Sequence, residues 1–292
     1  MYEEFYNLKQ LPFENTPDPQ FFFQSEEHRE ALAAIEYTIR LGKGFCLITG
    51  DIGSGKTTVG QTLCDRLTDA AHIVSITHGH LTGDSVIRQV LRALNIKMRR
   101  DDDHPRLFER LRDYAQNSHL TRKPIVLMVD EAQTLSDPAM EELRLTCTLD
   151  THTRKHVQIV LIGQPELRER IGQPKYLALR QRITMAKQLH AMPQEEMISY
   201  INHRLTITSG PSGAPGAAFD DSACNRIYQL GGGIPRLTNV ICDNCLLVGM
   251  VRKKRTIDAE IVDHVAKDML PAFDDASAHD VSEPPLALTG TF

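Results

Sequence analysis

The chain has 292 residues, 41% of them hydrophobic and 24% charged, and its formal net charge is -5 at pH 7. This composition fits a folded protein of about two domains and excludes collagen-like, coiled-coil and mostly disordered chains. The acidic balance argues against nucleic-acid binding through bulk charge. Six cysteines are too few for a disulfide scaffold, and there is neither a signal peptide pattern nor an apolar run of about 18 residues. We therefore expect a cytoplasmic protein without a transmembrane segment.

The first 25 residues are rich in aromatic side chains and turns. Two prolines flank Asp18 and forbid regular structure there, and Phe21–Phe23 follow. We interpret this stretch as a lead-in segment packed on a domain. A helix is predicted next, with Ser25 as its N-cap and Gly42 at its end.

Short apolar runs then alternate with longer amphipathic segments. The predicted strands are Phe45–Thr49, His72–Thr77, Ile125–Val129, Val157–Ile162 and Ile183–Leu189. The predicted helices between them are Lys56–Ala70, Ser85–Leu94, Pro105–Asn117 and Asp137–Leu149. Continuous apolar strands separated by helices indicate an α/β fold, here a five-stranded parallel sheet covered by helices on both faces.

After Pro193 the pattern predicts helices alone. These are Gln194–Thr208, Asp220–Leu230, Pro235–Val251 and Asp258–Met269, with a flexible loop at Gly210–Ala217. We read them as a second, smaller helical domain. The predicted organisation is therefore a core over residues 1–192, a helical domain over 193–270 and a disordered tail over 271–292.

A glycine-rich loop lies between the first strand of the sheet and the helix that follows it. Its sequence, GDIGSGKT, fits the phosphate-binding pattern G-x-x-x-x-G-K-[ST]. Its backbone N–H groups and the helix N-terminus favour phosphate, Lys56 can reach the β- and γ-phosphates of ATP, and the Thr57 hydroxyl can ligate Mg²⁺. The predicted nucleotide-binding residues are Gly50, Asp51, Ile52, Gly53, Ser54, Gly55, Lys56, Thr57 and Thr58.

Two acidic residues end the strand Ile125–Val129. Because ligands bind at the carboxyl ends of parallel strands, Asp130 is placed to hold Mg²⁺ together with Thr57. Glu131, one residue further, is placed to polarise the attacking water. The pair therefore predicts ATP hydrolysis and not nucleotide binding alone.

With these motifs in place, roughly residues 1–270 resemble the AAA-type ATPases of the general secretion pathway protein A (ExeA-like) family. Six segments carry the resemblance: MYEEFYNL…PFENTPDPQFFFQSEEHREAL, GDIGSGKTT, VDEAQ, LIGQPELRERI, LRQRI and GGGIPRLTNVICDNCLL. The resemblance implies an AAA-type core with a C-terminal helical lid. It also implies assembly into a homo-oligomer.

The resemblance implies four further site residues. Gln164 matches a polar sensor of the γ-phosphate, although a glutamine in a turn is the alternative reading. Arg182, or else Arg180, falls where such ATPases carry an arginine finger that reaches a neighbouring subunit, the alternative being a surface salt bridge. Arg236 matches a second sensor at the start of a lid helix, where Pro235 suits the first turn.

The resemblance also places the N-terminal segment over the adenine, with Phe21–Phe23 and His28 nearby, although core packing explains these aromatics equally well. One departure from the family pattern concerns the end of the second strand. The family often has Asn-Pro there, whereas this chain has Thr77-His78-Gly79-His80.

Two other motifs have simpler explanations. Cys242 and Cys245 have the spacing of half a zinc site or a redox pair, but they fall inside a predicted helix, where packing thiols are favoured. The basic run Arg252–Arg255 ends a lid helix, where it is typical of a solvated terminus, a DNA-binding role being the alternative.

The resulting hypothesis is a Mg²⁺-dependent ATPase that couples hydrolysis at an oligomer interface to a conformational change in a partner. The resembled family favours an accessory role in secretion or envelope assembly, with a protein partner that is membrane-associated. Compared with fuller members of that family, we expect this chain to be without their transmembrane span and periplasmic part, which weakens the secretion role. The alternatives are a DNA-associated regulator resembling transposition or replication-initiation ATPases, and a nucleotide-dependent switch with negligible turnover.

Overall fold

The computed structural model describes residues 1–16, 18–76, 83–117, 123–149, 155–210 and 218–269. One structural unit spans Asn15–Met192, and the other combines Met1–Glu14 with the chain from Pro193 onward. The predicted tail over 271–292, Thr77–His80 and the loop at 211–217 lie outside the described residues.

The described helices are numbered in chain order: α1 (Tyr2–Phe5), α2 (Glu26–Arg40), α3 (Lys56–Leu67), α4 (Gly83–Ala93), α5 (His104–Asn117), α6 (Asp137–Thr146), α7 (Pro165–Gly172), α8 (Leu177–Arg180), α9 (Gln194–Thr208), α10 (Asp221–Gly231), α11 (Pro235–Val251) and α12 (Ala259–Met269). The strands are β1 (Phe45–Gly50), β2 (His72–Ile76), β3 (Ile125–Val129), β4 (Val157–Gly163), β5 (Ile183–Leu189), β6 (Ala218–Phe219) and β7 (Thr256–Ile257). Short 3₁₀ turns occur at Pro19–Phe21, Ala132–Thr134 and Pro174–Tyr176.

The unit Asn15–Met192 is built on a parallel sheet with the strand order β2-β3-β4-β1-β5. Side chains alternate between its two faces. Phe45 and Leu47 of β1 join a buried cluster with α4, α5, α6 and α7, whereas Cys46 and Ile48 join a second cluster with α2 and α3. Because both faces are covered, β1, β3 and β4 are buried along their whole length. The predicted fold class, a five-stranded parallel sheet with a C-terminal helical region, is thereby confirmed.

The other unit contains α1 and α9–α12, and it holds one feature that the sequence pattern did not predict. Beside the helices, β6 pairs with β7 in parallel, with Ala218 opposite Thr256 and Phe219 opposite Ile257. The prediction of helices alone after Pro193 is therefore wrong at these residues. Strands of two residues are too short to show an alternating pattern.

The N-terminal segment packs on this helical unit. The Tyr6 hydroxyl is 3.1 Å from the carbonyl oxygens of both Leu246 and Lys254, and the Lys9 N–H donates to the Thr208 carbonyl. The predicted core over residues 1–192 includes this segment, because aromatic content indicates that a segment packs but not which unit it packs on. Among the described helices, none combines the length and apolar character that crossing a bilayer requires.

Candidate nucleotide site

The phosphate-binding loop has the backbone that its glycines allow. Gly53 and Gly55 have φ angles of 84° and 92°, in the left-handed region that favours glycine. A Cβ at Gly55 would lie 2.8 Å from His28 Nε2, so no larger residue fits there without movement. Asp51 and Ile52 are exposed at the tip of the loop, and Ser54 is buried. As the N-cap of α3, Gly55 offers no side-chain acceptor to the first N–H groups of the helix, an arrangement suited to an anion.

Lys56 is buried at the start of α3 and turns back onto its own loop. Its Nζ donates to the carbonyl oxygens of Gly50, at 2.8 Å, and Asp51, at 2.7 Å. Burial lowers the pKa of Lys56, while the carboxylates of Glu131, Asp130 and Asp51 oppose that shift. A phosphate oxygen would compete for the same ammonium, because charge-assisted hydrogen bonds are stronger than those to neutral carbonyls.

Thr57 and Asp130 supply the oxygens expected of a magnesium site. The Thr57 hydroxyl donates to Asp130 Oδ2 at 2.9 Å, and Asp130 Oδ1 accepts the Glu131 N–H, also at 2.9 Å. Hydroxyl and carboxylate oxygens are the ligands that Mg²⁺ prefers, so the two residues fit that ion. Thr57 is exposed and Asp130 partly exposed, which leaves both accessible from solvent.

Glu131 is held by two glutamine amides. Its Oε2 accepts from Gln133 Nε2 at 2.5 Å and from Gln164 Nε2 at 3.3 Å, and Gln133 Oε1 accepts the Gln164 N–H at 3.1 Å. The Glu131 backbone has φ 51°, a left-handed conformation that costs energy in a non-glycine residue. This conformation begins the 3₁₀ turn Ala132–Thr134 and brings Gln133 beside the carboxylate. Sequence reasoning missed Gln133, although it stands in the VDEAQ segment.

The sheet order explains why these groups meet. The loop follows β1, Asp130 follows β3 and Gln164 follows β4, and these three strands are neighbours in the order β3-β4-β1. Their carboxyl ends therefore lie along one edge of the sheet, where ligands bind in open α/β folds. The structure brings Lys56, Thr57, Asp130, Glu131 and Gln164 together at this edge, and their roles in binding and hydrolysis stay predictions.

His28 lies against the phosphate loop. Its Nε2 is 3.0 Å from the Ser54 carbonyl oxygen, and its Nδ1 is 2.9 Å from Ser25 Oγ. A carbonyl can only accept, so Nε2 carries the proton of this bond. The Phe22 ring lies 5.6 Å from the imidazole. The resemblance implies a place near the adenine for His28, which stays a prediction, and the contacts that the structure shows are with Ser25 and the phosphate loop.

Arg180 and Arg182 lie at the other end of the sheet from the phosphate loop. Arg182 directly precedes β5, whose Ile183 pairs with Phe45 at the start of β1, while Gly50 at the end of β1 pairs with Leu189. That separation is about 20 Å along the strands. Arg180 donates to the Gly172 carbonyl, and neither arginine forms an ion pair with another described residue. Neither serves its own phosphate loop, so a finger role requires a second subunit.

Arg236 belongs to the helical unit. It is exposed in the first turn of α11, directly after Pro235, and Gly232 and Gly233 before it have φ 56° and 75°. Its role as a second sensor stays a prediction.

The thiols of Cys242 and Cys245 are buried, and burial raises the pKa of Cys245 to about 12. The described part of the chain contains no cluster of three or more metal-ligating side chains. In the basic run, Arg252 pairs with Glu260 and Lys254 with Asp258, while Arg255 lies over the Phe5 ring. The burial of Cys242 and Cys245 favours packing thiols over a metal or redox pair. The ion pairs of the basic run favour a solvated helix end over a DNA-binding patch.

The fold and this site define an AAA-type P-loop protein, and the family described as "AAA domain" matches residues 39–171. More particularly, general secretion pathway protein A from Aeromonas hydrophila is 35% identical over 257 residues. The match covers 88% of this chain but 46% of that protein, so the chain spans about half the length of the relative. The resemblance to the ExeA-like AAA ATPases is thereby confirmed.

Solved structures with the same architecture include the Aeropyrum pernix ORC2 protein, with a TM-score of 0.61 and 13% identity over 90% of this chain and 72% of that one. Cdc6p from Pyrobaculum aerophilum has a TM-score of 0.62 and 15% identity, over 86% of this chain and 70% of that one. The Thermotoga maritima RuvB Holliday junction branch migration motor has a TM-score of 0.57 and 17% identity, over 89% of this chain and 73% of that one. At these identities the likeness shows the fold.

Proposed function

We propose that this protein hydrolyses ATP to ADP and phosphate. The observation that carries the proposal is the meeting of Lys56, the Thr57–Asp130 pair and the Glu131–Gln164 pair at the carboxyl ends of three neighbouring strands. Each group has a separate task in phosphoryl transfer. A phosphate loop alone would support only nucleotide binding.

In the proposed reaction the side chains act on the triphosphate in three ways. Lys56 exchanges its loop carbonyls for the β- and γ-phosphate oxygens, while the backbone N–H groups of the loop hold the remaining charge. Thr57 and Asp130 would hold Mg²⁺, which neutralises charge that develops on the phosphates when it is bound. Glu131 polarises the attacking water and accepts its proton, and Gln164 orients that water against the γ-phosphate.

The proposed enzyme works as a homo-oligomer that moves a protein partner. Support comes from Arg180 and Arg182, which are too far from their own loop to contribute a finger to it. One of them, with Arg182 preferred, would enter the neighbouring subunit's site, and Arg236 would link nucleotide state to movement of the helical unit.

Mixing two inactive variants tests the trans finger. Glu131→Gln subunits lack the base but keep the arginine, and Arg182→Ala subunits lack the arginine but keep the base. We expect each variant to be nearly inactive alone and the mixture to regain a substantial part of the turnover. Repeating the mixture with Arg180→Ala identifies the finger. If neither mixture exceeds the sum of its parts, hydrolysis does not use an arginine from a second subunit.

For the biological role we propose an accessory ATPase of secretion or envelope assembly, acting in the cytoplasm on a membrane-associated partner. The similarity to general secretion pathway protein A supports this role, and the six free thiols agree with a reducing compartment. Turnover should therefore not respond to double-stranded DNA at either low or high salt. Strong stimulation that salt abolishes would instead support the DNA-associated alternative.

A further inference from the structure

Arg170, near the end of α7, makes more contacts than a surface arginine needs. Its Nη1 donates to the carbonyl oxygens of Gln133, at 3.1 Å, and Leu135, at 2.5 Å. Its Nη2 donates to Asp137 Oδ1 at 2.6 Å, and its Nε donates to the Tyr176 hydroxyl at 2.8 Å. Its side chain is 19% exposed. The planar guanidinium therefore joins four groups in fixed directions, which a lysine ammonium cannot do.

Two of these groups belong to the turn that carries the proposed base. Gln133 lies in the 3₁₀ turn that begins at Glu131, and Leu135 ends it. The Gln133 side chain bonds the Glu131 carboxylate, while the Gln133 carbonyl bonds Arg170. Arg170 thus fixes the main chain of the residue whose side chain orients Glu131.

The other two groups belong to the segment that leads to the finger candidates. Asp137 accepts from Lys175 at 2.7 Å, from the Tyr176 hydroxyl at 2.5 Å and from Arg170, and these three donors hold its pKa well below the ordinary value. Tyr176 ends the turn Pro174–Tyr176, and α8, which ends at Arg180, follows directly. The Arg180 bond to the Gly172 carbonyl ties that helix back to the end of α7.

The same helix also carries the γ-phosphate sensor candidate. Gln164 is the N-cap of α7, roughly 9 Å of helix before Arg170. A displacement of α7 on γ-phosphate contact would therefore be passed through Arg170 both to the turn of Glu131 and to the segment of Arg180.

We propose that Arg170 is a positioning residue that joins a subunit's own hydrolytic site to the arginine that it presents to its neighbour. This inference rests on the proposed ATPase function and names a coupling residue for it. Arg170 does not touch the substrate in this role. It sets the positions of Glu131, through Gln133, and of the segment that carries Arg180 and Arg182, through Tyr176.

The first test separates catalysis from binding. Arg170→Gln and Arg170→Lys are compared with Arg168→Gln, a change on the same helix at an exposed arginine that bonds Gln188. Measured are kcat, the Kd for a non-hydrolysable ATP analogue and the midpoint of thermal unfolding. We expect kcat to fall about tenfold or more in Arg170→Gln, since small misplacements of reacting groups have effects of that size. We expect Kd to stay within about threefold and Arg168→Gln to behave as wild type.

The second test uses subunit mixtures to separate the two connections. A Glu131→Gln, Arg170→Gln double variant can donate only a finger, and it should rescue Arg182→Ala less well than Glu131→Gln alone. An Arg170→Gln, Arg182→Ala double variant can supply only a site. When mixed with Glu131→Gln subunits, it should regain less turnover than the Arg182→Ala single variant does in the same mixture. Tyr176→Phe is a milder change that replaces Arg170→Gln in both mixtures. It should reduce the rescue more in the finger-donating subunit of the first mixture than in the site-supplying subunit of the second.

Several results would overturn the inference. A folded Arg170→Gln protein with normal kcat would do so, as would a nucleotide affinity and a kcat that both fall in parallel with the unfolding midpoint. Unchanged rescue in both mixtures would also do so. If the single-variant mixture shows no rescue, the kcat and Kd comparison still decides whether Arg170 positions Glu131. Absence of turnover in the wild-type protein would instead refute the proposed function itself.

Discussion

The buried cationic side chains of the two units have different partners. At the phosphate loop, Lys56 is bonded to its own loop carbonyls. In the helical unit, Tyr200 bonds Asn239 and Arg204 bonds Tyr200, both at 2.7 Å. A bound phosphate can replace the loop carbonyls as the partner of Lys56. The contacts among Tyr200, Asn239 and Arg204 instead hold three protein side chains to one another. Substitutions of these buried groups should therefore change function at the phosphate loop and stability in the helical unit.

The largest effects should come from Lys56 and Glu131. Lys56→Ala removes the only ammonium of the loop, and we expect nucleotide affinity to fall about a hundredfold or more because charge-assisted phosphate contacts are lost. Glu131→Gln should bind ATP normally but hydrolyse it about 10²–10⁴ times more slowly, the usual contribution of a general base. Titration with a fluorescent ATP analogue and phosphate release measure the two effects.

Unfolding experiments on the same variants extend the comparison. The lowered pKa of Lys56 shows that its buried charge is costly in the folded state, so Lys56→Ala should leave the free energy of unfolding unchanged or raise it. Marked destabilisation would mean that the loop carbonyl contacts hold the fold together. Normal turnover in Glu131→Gln would show that another group acts as the base.

Gln133 should give the next largest effect. Gln133→Leu removes the amide that orients Glu131 and the acceptor of the Gln164 N–H. We expect kcat to fall about tenfold, because the base is misplaced, while ATP affinity stays unchanged. The matched control is Gln229→Leu on α10, where an exposed glutamine accepts from Arg226 in the helical unit. If the two variants have the same kcat, the amide contact at Glu131 has no role in hydrolysis.

Sequence reasoning could find the phosphate loop, the acidic pair and the sheet, because each follows from local rules. Glycine spacing specifies the loop, and an apolar run ending in acids specifies the end of β3. Gln133 and Arg170 could not be assigned in this way. Their partners depend on the left-handed conformation at Glu131 and on main-chain carbonyls of a turn that has no side-chain signature. The packing of residues 1–14 was missed for a related reason, since the Tyr6 contacts join residues more than 200 positions apart.

His28 should have a smaller effect, on affinity more than on turnover. His28→Ala removes the donor to the Ser54 carbonyl, and we expect nucleotide binding to weaken about three- to tenfold, because the loop must then be ordered by the ligand. His28→Gln keeps an N–H donor near the position of Nε2 and should recover part of that loss. Calorimetric titration of wild type and both variants measures it. Equal affinity in all three would show that the loop is ordered without the imidazole.

Tyr6 should give the smallest functional effect and a clear effect on stability. Burial raises the pKa of Tyr6 to about 12, so at neutral pH its hydroxyl stays protonated and donates to the carbonyls of the helical unit. Tyr6→Phe leaves those acceptors without this donor and should lower the free energy of unfolding by about 1 kcal/mol, with ATP affinity and kcat unchanged. Urea unfolding of this variant, beside Tyr37→Phe at a tyrosine that is 47% exposed, measures the difference. A loss of ATP affinity in Tyr6→Phe would mean that the first 14 residues also serve the nucleotide site, and the distinction between functional and stabilising buried groups would then fail.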